Sequence, residues 1–205
     1  NRLLDKTAEL YGRARVACKD PNLFTMDLAQ LLATSMDYAG ASAEFILWLK
    51  QNPTQLSFVQ SRMAAYTNKE EGRAAAIEAV KNELRRDDDP KLHELLGWVY
   101  LEGKNYADAF DAYRKLDKLT KAQGGQIYAF AERAFKERAF DAAAQAYLEA
   151  INVPVGVARL PYAKYGYANS LKEMSALSDT IGGVVIAGQL PATESQPQYA
   201  GAIGY

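Results

Sequence analysis

The stretch Leu96-Gly97-Trp98-Val99-Tyr100, followed by Tyr106-Ala107-Asp108-Ala109 and then Tyr113, decides the fold. Large and small apolar side chains recur in it at steps of three and four, the spacing that places them on one face of an α-helix. Gly103-Lys104-Asn105 interrupts the pattern, so the segment reads as two amphipathic helices joined by a tight turn. A shift of 34 residues gives Phe130-Ala131, Ala134, Phe140, Ala143 and Tyr147, with Pro154 behind. A shift back of 68 gives Leu28-Ala29, Leu32, Tyr38, Ala41 and Phe45, with Pro53 behind. The intervening repeat is looser, with Met63, Tyr66, Ala75-Ala76 and Val80. If Ala76 takes the small slot, the alanines at 41, 76, 109 and 143 are 35, 33 and 34 apart, which totals three times 34. One residue inserted near Lys69-Glu70 and compensated before Gly97 accounts for that.

Outward from this core the same helical period continues, and alternation of strand length is hard to find. Polar or Gly/Pro breaks separate helices of about 12–15 residues. Pro21, Pro53, Pro90 and Pro154 each follow an apolar helix, where proline ends one helix and opens the next. Gly124-Gly125 does the same between Leu119 and Ile127. The fold class expected is all-α, built of antiparallel hairpins. Full repeats span 22–55, 56–89, 90–123 and 124–157. Residues 1–20 read as the second helix of a truncated repeat, because Leu4 and Tyr11 lie 34 before Tyr38 and Phe45. Residues 158–190 read as a degenerate repeat: a first helix from Tyr162 to Met174 with Gly166 or Ala168 in the small slot, then a glycine-interrupted Asp179–Gln189, a poor second helix or a strand. Residues 197–205 read as the start of a further helix.

Composition removes several function classes. The 205 residues carry 24 basic against 25 acidic side chains, so bulk charge does not drive binding to nucleic acid or anionic membranes. The longest apolar stretch, Gly182 to Gly188, is far short of a membrane-spanning helix. Cys18 is the single cysteine and His93 the single histidine, which leaves no thiolate cluster and no His–His metal site. No intrachain disulfide is possible, which suits a reducing compartment and leaves a periplasm open. Gly103-Lys104 lacks the earlier glycine and the Ser/Thr of a phosphate loop, and Gly182-Gly183 lacks the context of a dinucleotide site. His93-Glu94 has no second histidine. Asp87-Asp88-Asp89 reads as solvated capping at a turn. The expectation is no catalysis, no cofactor and no metal. A chain that begins at Asn1 without a leader reads as a segment of a larger protein, and its alanine-rich composition as bacterial, in the cytoplasm or the periplasm and envelope.

These residues resemble the tetratricopeptide repeat family, whose 34-residue helix–turn–helix carries Leu-Gly-x-x-Tyr in its first helix and an aromatic three before an alanine in its second. The resemblance covers residues 22–157, is closest at 90–123 and weakest at 56–89. The family's first-helix Trp is absent from its slot in all four repeats, and His93 holds it in the best one. The resemblance implies a right-handed superhelix whose first helices line a concave face, and a protein or peptide partner held there. By register that face carries Met26 and Gln30 in the first repeat, Gln60 in the second, Glu94, Trp98 and Leu101 in the third, and Tyr128, Glu132 and Phe135 in the fourth. Trp98, Leu101, Tyr128 and Phe135 are large apolar groups in a solvated groove, and stand as candidate anchors. Packing against a neighbouring first helix is the competing reading. A chaperone-type clamp for a carboxylate needs Lys and Asn at slots that here hold Met26, Gln30, Gln60, Ala64, Lys91 and Leu95, of which Lys91 alone fits. A nucleic-acid groove needs excess base, yet Lys91 and Lys136 face Glu94, Glu102 and Glu132. The expected function is a non-catalytic interaction scaffold, with a structural or capping module for an adjacent domain, or a chaperone-type adaptor, as the alternatives. Oligomeric state is left open, with end-to-end association available through truncated ends.

Overall fold

The structure, a computed structural model, describes residues 2–153 and 159–186, with side chains over 6–153 and 159–178. Among the described residues it is all-α: α1 (Arg2–Cys18), α2 (Thr25–Thr34), α3 (Tyr38–Gln51), α4 (Leu56–Thr67), α5 (Glu70–Leu84), α6 (Pro90–Glu102), α7 (Tyr106–Thr120), α8 (Gly125–Lys136), α9 (Phe140–Asn152) and α10 (Leu160–Ile186), with one 3-10 turn at Pro53–Gln55. Helices pack in sequence, α2 on α3, α4 on α5 and α8 on α9 as hairpins, with α3 on α5 and α9 on α10 across repeats. The helical-hairpin architecture that the resemblance implies is thus the one found. The chain forms two compact bodies, residues 1–112 and 113–205.

The turns explain the periodicity. Met36, Lys104 and Arg138 occupy the same place in three repeats and all adopt left-handed backbone, with φ of 66°, 55° and 63°. Each follows a first helix and lets the next amide reach back: Asp37 N to Leu32 O, Asn105 N to Tyr100 O and Ala139 N to Ala134 O, all at 2.9 Å. That bond closes the helix end in a Schellman motif, without the usual glycine. The following helix then starts on an acceptor side chain where one is present. Asp37 accepts from Gly40 N at 2.9 Å, and Asn105 accepts from Asp108 N at 3.3 Å. Asp89 likewise accepts from Lys91 N at 2.7 Å, with Pro90 in the first turn of α6.

The loose second repeat departs for a physical reason. Arg73 stands where Tyr38, Tyr106 and Phe140 stand, three residues before the buried alanine. α5 begins early, at Glu70, after a turn of Asn68-Lys69 alone. The end of α4 is closed by Arg73, whose Nη1 donates to Thr67 O at 3.1 Å. Gly72 permits this, because the first helix's Tyr66 carbonyl lies against its backbone.

The small slots are filled as the packing requires. Ala41, Ala76, Ala109 and Ala143 are all fully buried. In the last described helix the slot belongs to Gly166, which is buried under the Tyr147 ring, whereas Ala168 is exposed. The helix-or-strand segment expected at Asp179–Gln189 is corrected in part: α10 continues unbroken through Gly182-Gly183 to Ile186. Residues 187–205, with the further helix expected at 197–205, lie outside the described residues. No helix among the described residues is long and apolar enough to cross a membrane.

Second helices of successive repeats are joined by ion pairs of one sense. Arg15 of α1 grips Glu44 of α3 with two bonds of 2.7 Å. Lys50 of α3 meets Glu83 of α5 at 2.7 Å, and Arg114 of α7 meets Glu149 of α9 through its Nε at 2.7 Å. Lys81 of α5 bonds Tyr100 and feels Asp108 of α7, which together raise its pKa.

A buried hydroxyl pair supplies a pH test of the α3–α4 packing. Tyr66 and Ser42 share a hydrogen bond of 2.9 Å, and burial pushes the Tyr66 phenol up to about 12, with the Ser42 bond opposing. In the unfolded chain it titrates near 10. The unfolded state therefore loses its proton first, and the stability held below pH 10 falls as pH rises through 12, by about 2–3 kcal/mol. Denaturation midpoints between pH 9 and about 12 should fall more steeply for the wild type than for Tyr66→Phe. Parallel declines would show that Tyr66 is not the group responsible.

Candidate partner-binding face

α8 carries the clearest candidate face. Its residues Ile127, Phe130, Ala131 and Ala134 are buried, and Tyr128, Glu132 and Phe135, at i, i+4 and i+7, flank that stripe on the side toward α9, all partly exposed. α8 is held in place from α7. The buried Asp117 carboxylate accepts from Gly124 N and Gln126 N, each at 2.9 Å, and so fixes the N-terminus of α8.

Tyr128 packs edge-on against Tyr147 of α9, with centroids 5.8 Å apart, and Phe135 packs edge-on against Phe140, 5.3 Å apart. Tyr147 donates its hydroxyl proton to Glu132. Burial and the Glu132 anion both raise the Tyr147 and Tyr128 phenols, so neither ionises near neutral pH. Glu132, Arg159 and Tyr162 all act on the Tyr128 hydroxyl. Tyr162 and Tyr165 are 65% and 70% exposed on α10.

Two of the anchors expected from register are corrected. Trp98 is 7% exposed and Leu101 2%, so neither offers a surface to a partner. The cause is α6 itself, which is buried at every residue from Leu95 to Leu101. A helix apolar all round is a core helix, whatever its register. Met26 and Gln60 are partly exposed and Gln30 is exposed, each on a first helix. Glu94 is partly exposed and paired with Lys91 at 2.8 Å. The structure thus brings together Tyr128 with Glu132, while Met26, Gln30, Gln60 and Glu94 lie on helices of the other body.

Sequence reasoning missed Arg159 and Tyr162. The small slot moves by 35 from Ala131 to Gly166, not 34, so the register could not carry the face onto α10. It also missed a groove of about 970 Å³ between the second helices α3 and α5, lined by Ala39, Ala43, Leu47, Ala75 and Ala79 and edged by Lys50. The aspartate run behaves as capping and pairing. Asp89 caps α6, Asp87 meets Lys50 at 3.1 Å, and Asp88 meets His93 Nε2 at 2.6 Å.

No model of a known protein family matches the chain. No curated protein matches it either. Among solved structures it is similar to one titled as the crystal structure of MamA protein. The identity is 17%, over 84% of this chain and 98% of that one, with a TM-score of 0.40.

Proposed function

We propose that this chain is a non-catalytic protein-interaction scaffold of four full repeats, 22–55, 56–89, 90–123 and 124–157, that holds a partner segment along its first helices. The observation that carries this reading is the line Tyr128, Glu132 and Phe135 on α8, large side chains left partly exposed on the flank of the helix's buried stripe. Partly exposed aromatics seated on other rings are already ordered, so a partner gains their contact at little entropic cost. Met26, Gln30, Gln60 and Glu94 are the first-helix residues offered for the remaining contacts. The alanine-rich composition supports a bacterial source, with the chain in the cytoplasm or the envelope.

The reading is tested with peptides selected from a random display library against the intact chain, their affinity measured by fluorescence anisotropy. Truncating a central aromatic anchor costs at least about 2 kcal/mol, roughly thirtyfold in Kd. Tyr128→Ala and Phe135→Ala should each show that loss with an unchanged helical circular dichroism spectrum. Unchanged affinity in both variants, or loss of the fold, would sink the reading.

A further inference from the structure

The second helices of the array follow one pattern on their outer side, and α3 departs from it. Counted from the buried alanine of each full repeat, the slots two and six residues on hold Glu78 and Asn82 in α5 and Asp111 and Lys115 in α7. In α9 they hold Gln145 and Glu149, but in α3 they hold Ala43 and Leu47. Polar side chains serve three repeats at these slots, so the stacking of hairpins does not require the apolar pair. Ala43 is exposed and Leu47 half-buried, and both line the groove of about 970 Å³ between α3 and α5, with Ala39, Ala75 and Ala79. All of these residues belong to one body, residues 1–112.

The walls select the form of an occupant. From Ala39 to Lys50 the groove runs about 17 Å, the length of a three-turn helix. Both walls are helices with internally bonded backbones, so an extended segment would strand its own amides and carbonyls against alanine. A helix satisfies those groups itself, and small side chains on the floor let it approach closely.

Charge selects its direction. α3 and α5 both end where Lys50, Arg85 and Arg86 edge the groove. Lys50 takes Glu83 at 2.7 Å, and Arg86, 80% exposed, approaches the same carboxylate only at 3.6 Å. Arg85, 65% exposed, reaches Asn82 and, at 3.5 Å, Glu78. Each guanidinium has five N–H donors, so both keep donors facing solvent. A helix antiparallel to α3 and α5 brings its positive N-terminal end to the negative C-terminal ends of both. Acidic residues in its first turn then meet Arg85 and Arg86.

We propose that the α3–α5 groove docks an amphipathic helix of a partner protein, antiparallel to α3, with its apolar face over Ala43 and Leu47 and first-turn acidic residues at Arg85 and Arg86. This surface is carried by other helices than the α8 face and does not depend on that reading.

The probe is a labelled, lactam-bridged helical peptide of about 14 residues, with leucines at i, i+4 and i+7 and glutamates in its first turn. Its control carries lysines in place of the glutamates. Fluorescence anisotropy with the intact chain should show saturable binding of the glutamate probe and about tenfold weaker binding of the lysine probe. Ala43→Glu, which installs an acidic residue as α5 and α7 carry at this slot, should keep the circular dichroism spectrum and weaken the glutamate probe more than about tenfold. Replacing Arg85 and Arg86 together by alanine should cost about fivefold and remove most of the preference between the probes. No saturable binding, equal binding of the two probes, or affinity unchanged by Ala43→Glu or by the arginine pair would each overturn the docking site. So would a chain that dimerises alone and becomes monomeric with Ala43→Glu, because the occupant would then be a second copy. Tyr128→Ala and Phe135→Ala should leave probe affinity unchanged. A loss in those two variants would place the probe on the α8 face, overturning the groove while leaving the scaffold reading intact.

Discussion

Replacing Gly72 by alanine is expected to destabilise the protein by at least about 3 kcal/mol, read as a lower denaturation midpoint. Helix propensity alone argues the opposite sign, since alanine inside a helix is worth up to about 1 kcal/mol over glycine. The local geometry decides between them. A Cβ at position 72 would stand 2.3 Å from the Tyr66 carbonyl oxygen and 2.9 Å from its carbonyl carbon. Those are backbone atoms, so no side-chain rotation relieves the clash. α4 and α5 would have to separate at their shared turn, and with them the Arg73 bond to Thr67. Gly12, with open space around it on α1, is the matched control: Gly12→Ala should stabilise by up to about 1 kcal/mol. A neutral or stabilising Gly72→Ala would contradict the close approach.

Asp117→Ala is expected to cost about 2–4 kcal/mol. Its carboxylate is 6% exposed and accepts from Gly124 N and Gln126 N at the start of α8. Bonds to a charged acceptor contribute about 1.5–3 kcal/mol each, and deletion strands the Gly124 amide in a buried turn. Asp117→Asn keeps one carbonyl acceptor and should lose roughly half as much. Urea denaturation of the three proteins should therefore rank them aspartate, asparagine, alanine. If alanine matches the wild type, α8 does not need this cap. Because α8 carries Tyr128 and Phe135, the alanine variant should also weaken peptide binding at urea concentrations near its own midpoint.

What the sequence made legible was whatever repeats at a fixed step. The hairpins and the buried alanines at 41, 76, 109 and 143 depend on local packing that recurs every 34 residues or so. Features that occur once were hidden. Arg73 in an aromatic slot reads as noise until its bond to the end of α4 is seen. Register placed Trp98 and Leu101 on the groove side, but register reports direction along a helix and not whether that side is covered. Two adjacent glycines suggested a break in α10, yet each costs a helix only about 1 kcal/mol, and the helix runs on to Ile186. The ion pairs between second helices were invisible because their separations, 29, 33 and 35 residues, share no period. On α8 the line of Tyr128, Glu132 and Phe135 was legible. Its companions Arg159 and Tyr162 were not, because of the one-residue slip before Gly166.

The uniform sense of those pairs bears on how such a gene can change length. At three joints the cation belongs to the earlier second helix and the anion to the later: Arg15 to Glu44, Lys50 to Glu83 and Arg114 to Glu149. Removing or copying one whole hairpin in frame sets a basic edge against an acidic edge again. A cut at half a repeat has no such safeguard, since it brings a first helix to an edge that had met a second. Duplication and loss by whole hairpins are therefore the electrostatically tolerated events. Pair by pair the energy is small, on the order of 1 kcal/mol, and because the paired residues sit at different heights on their helices, a recombined joint keeps the sense of the charges without keeping the same bonds.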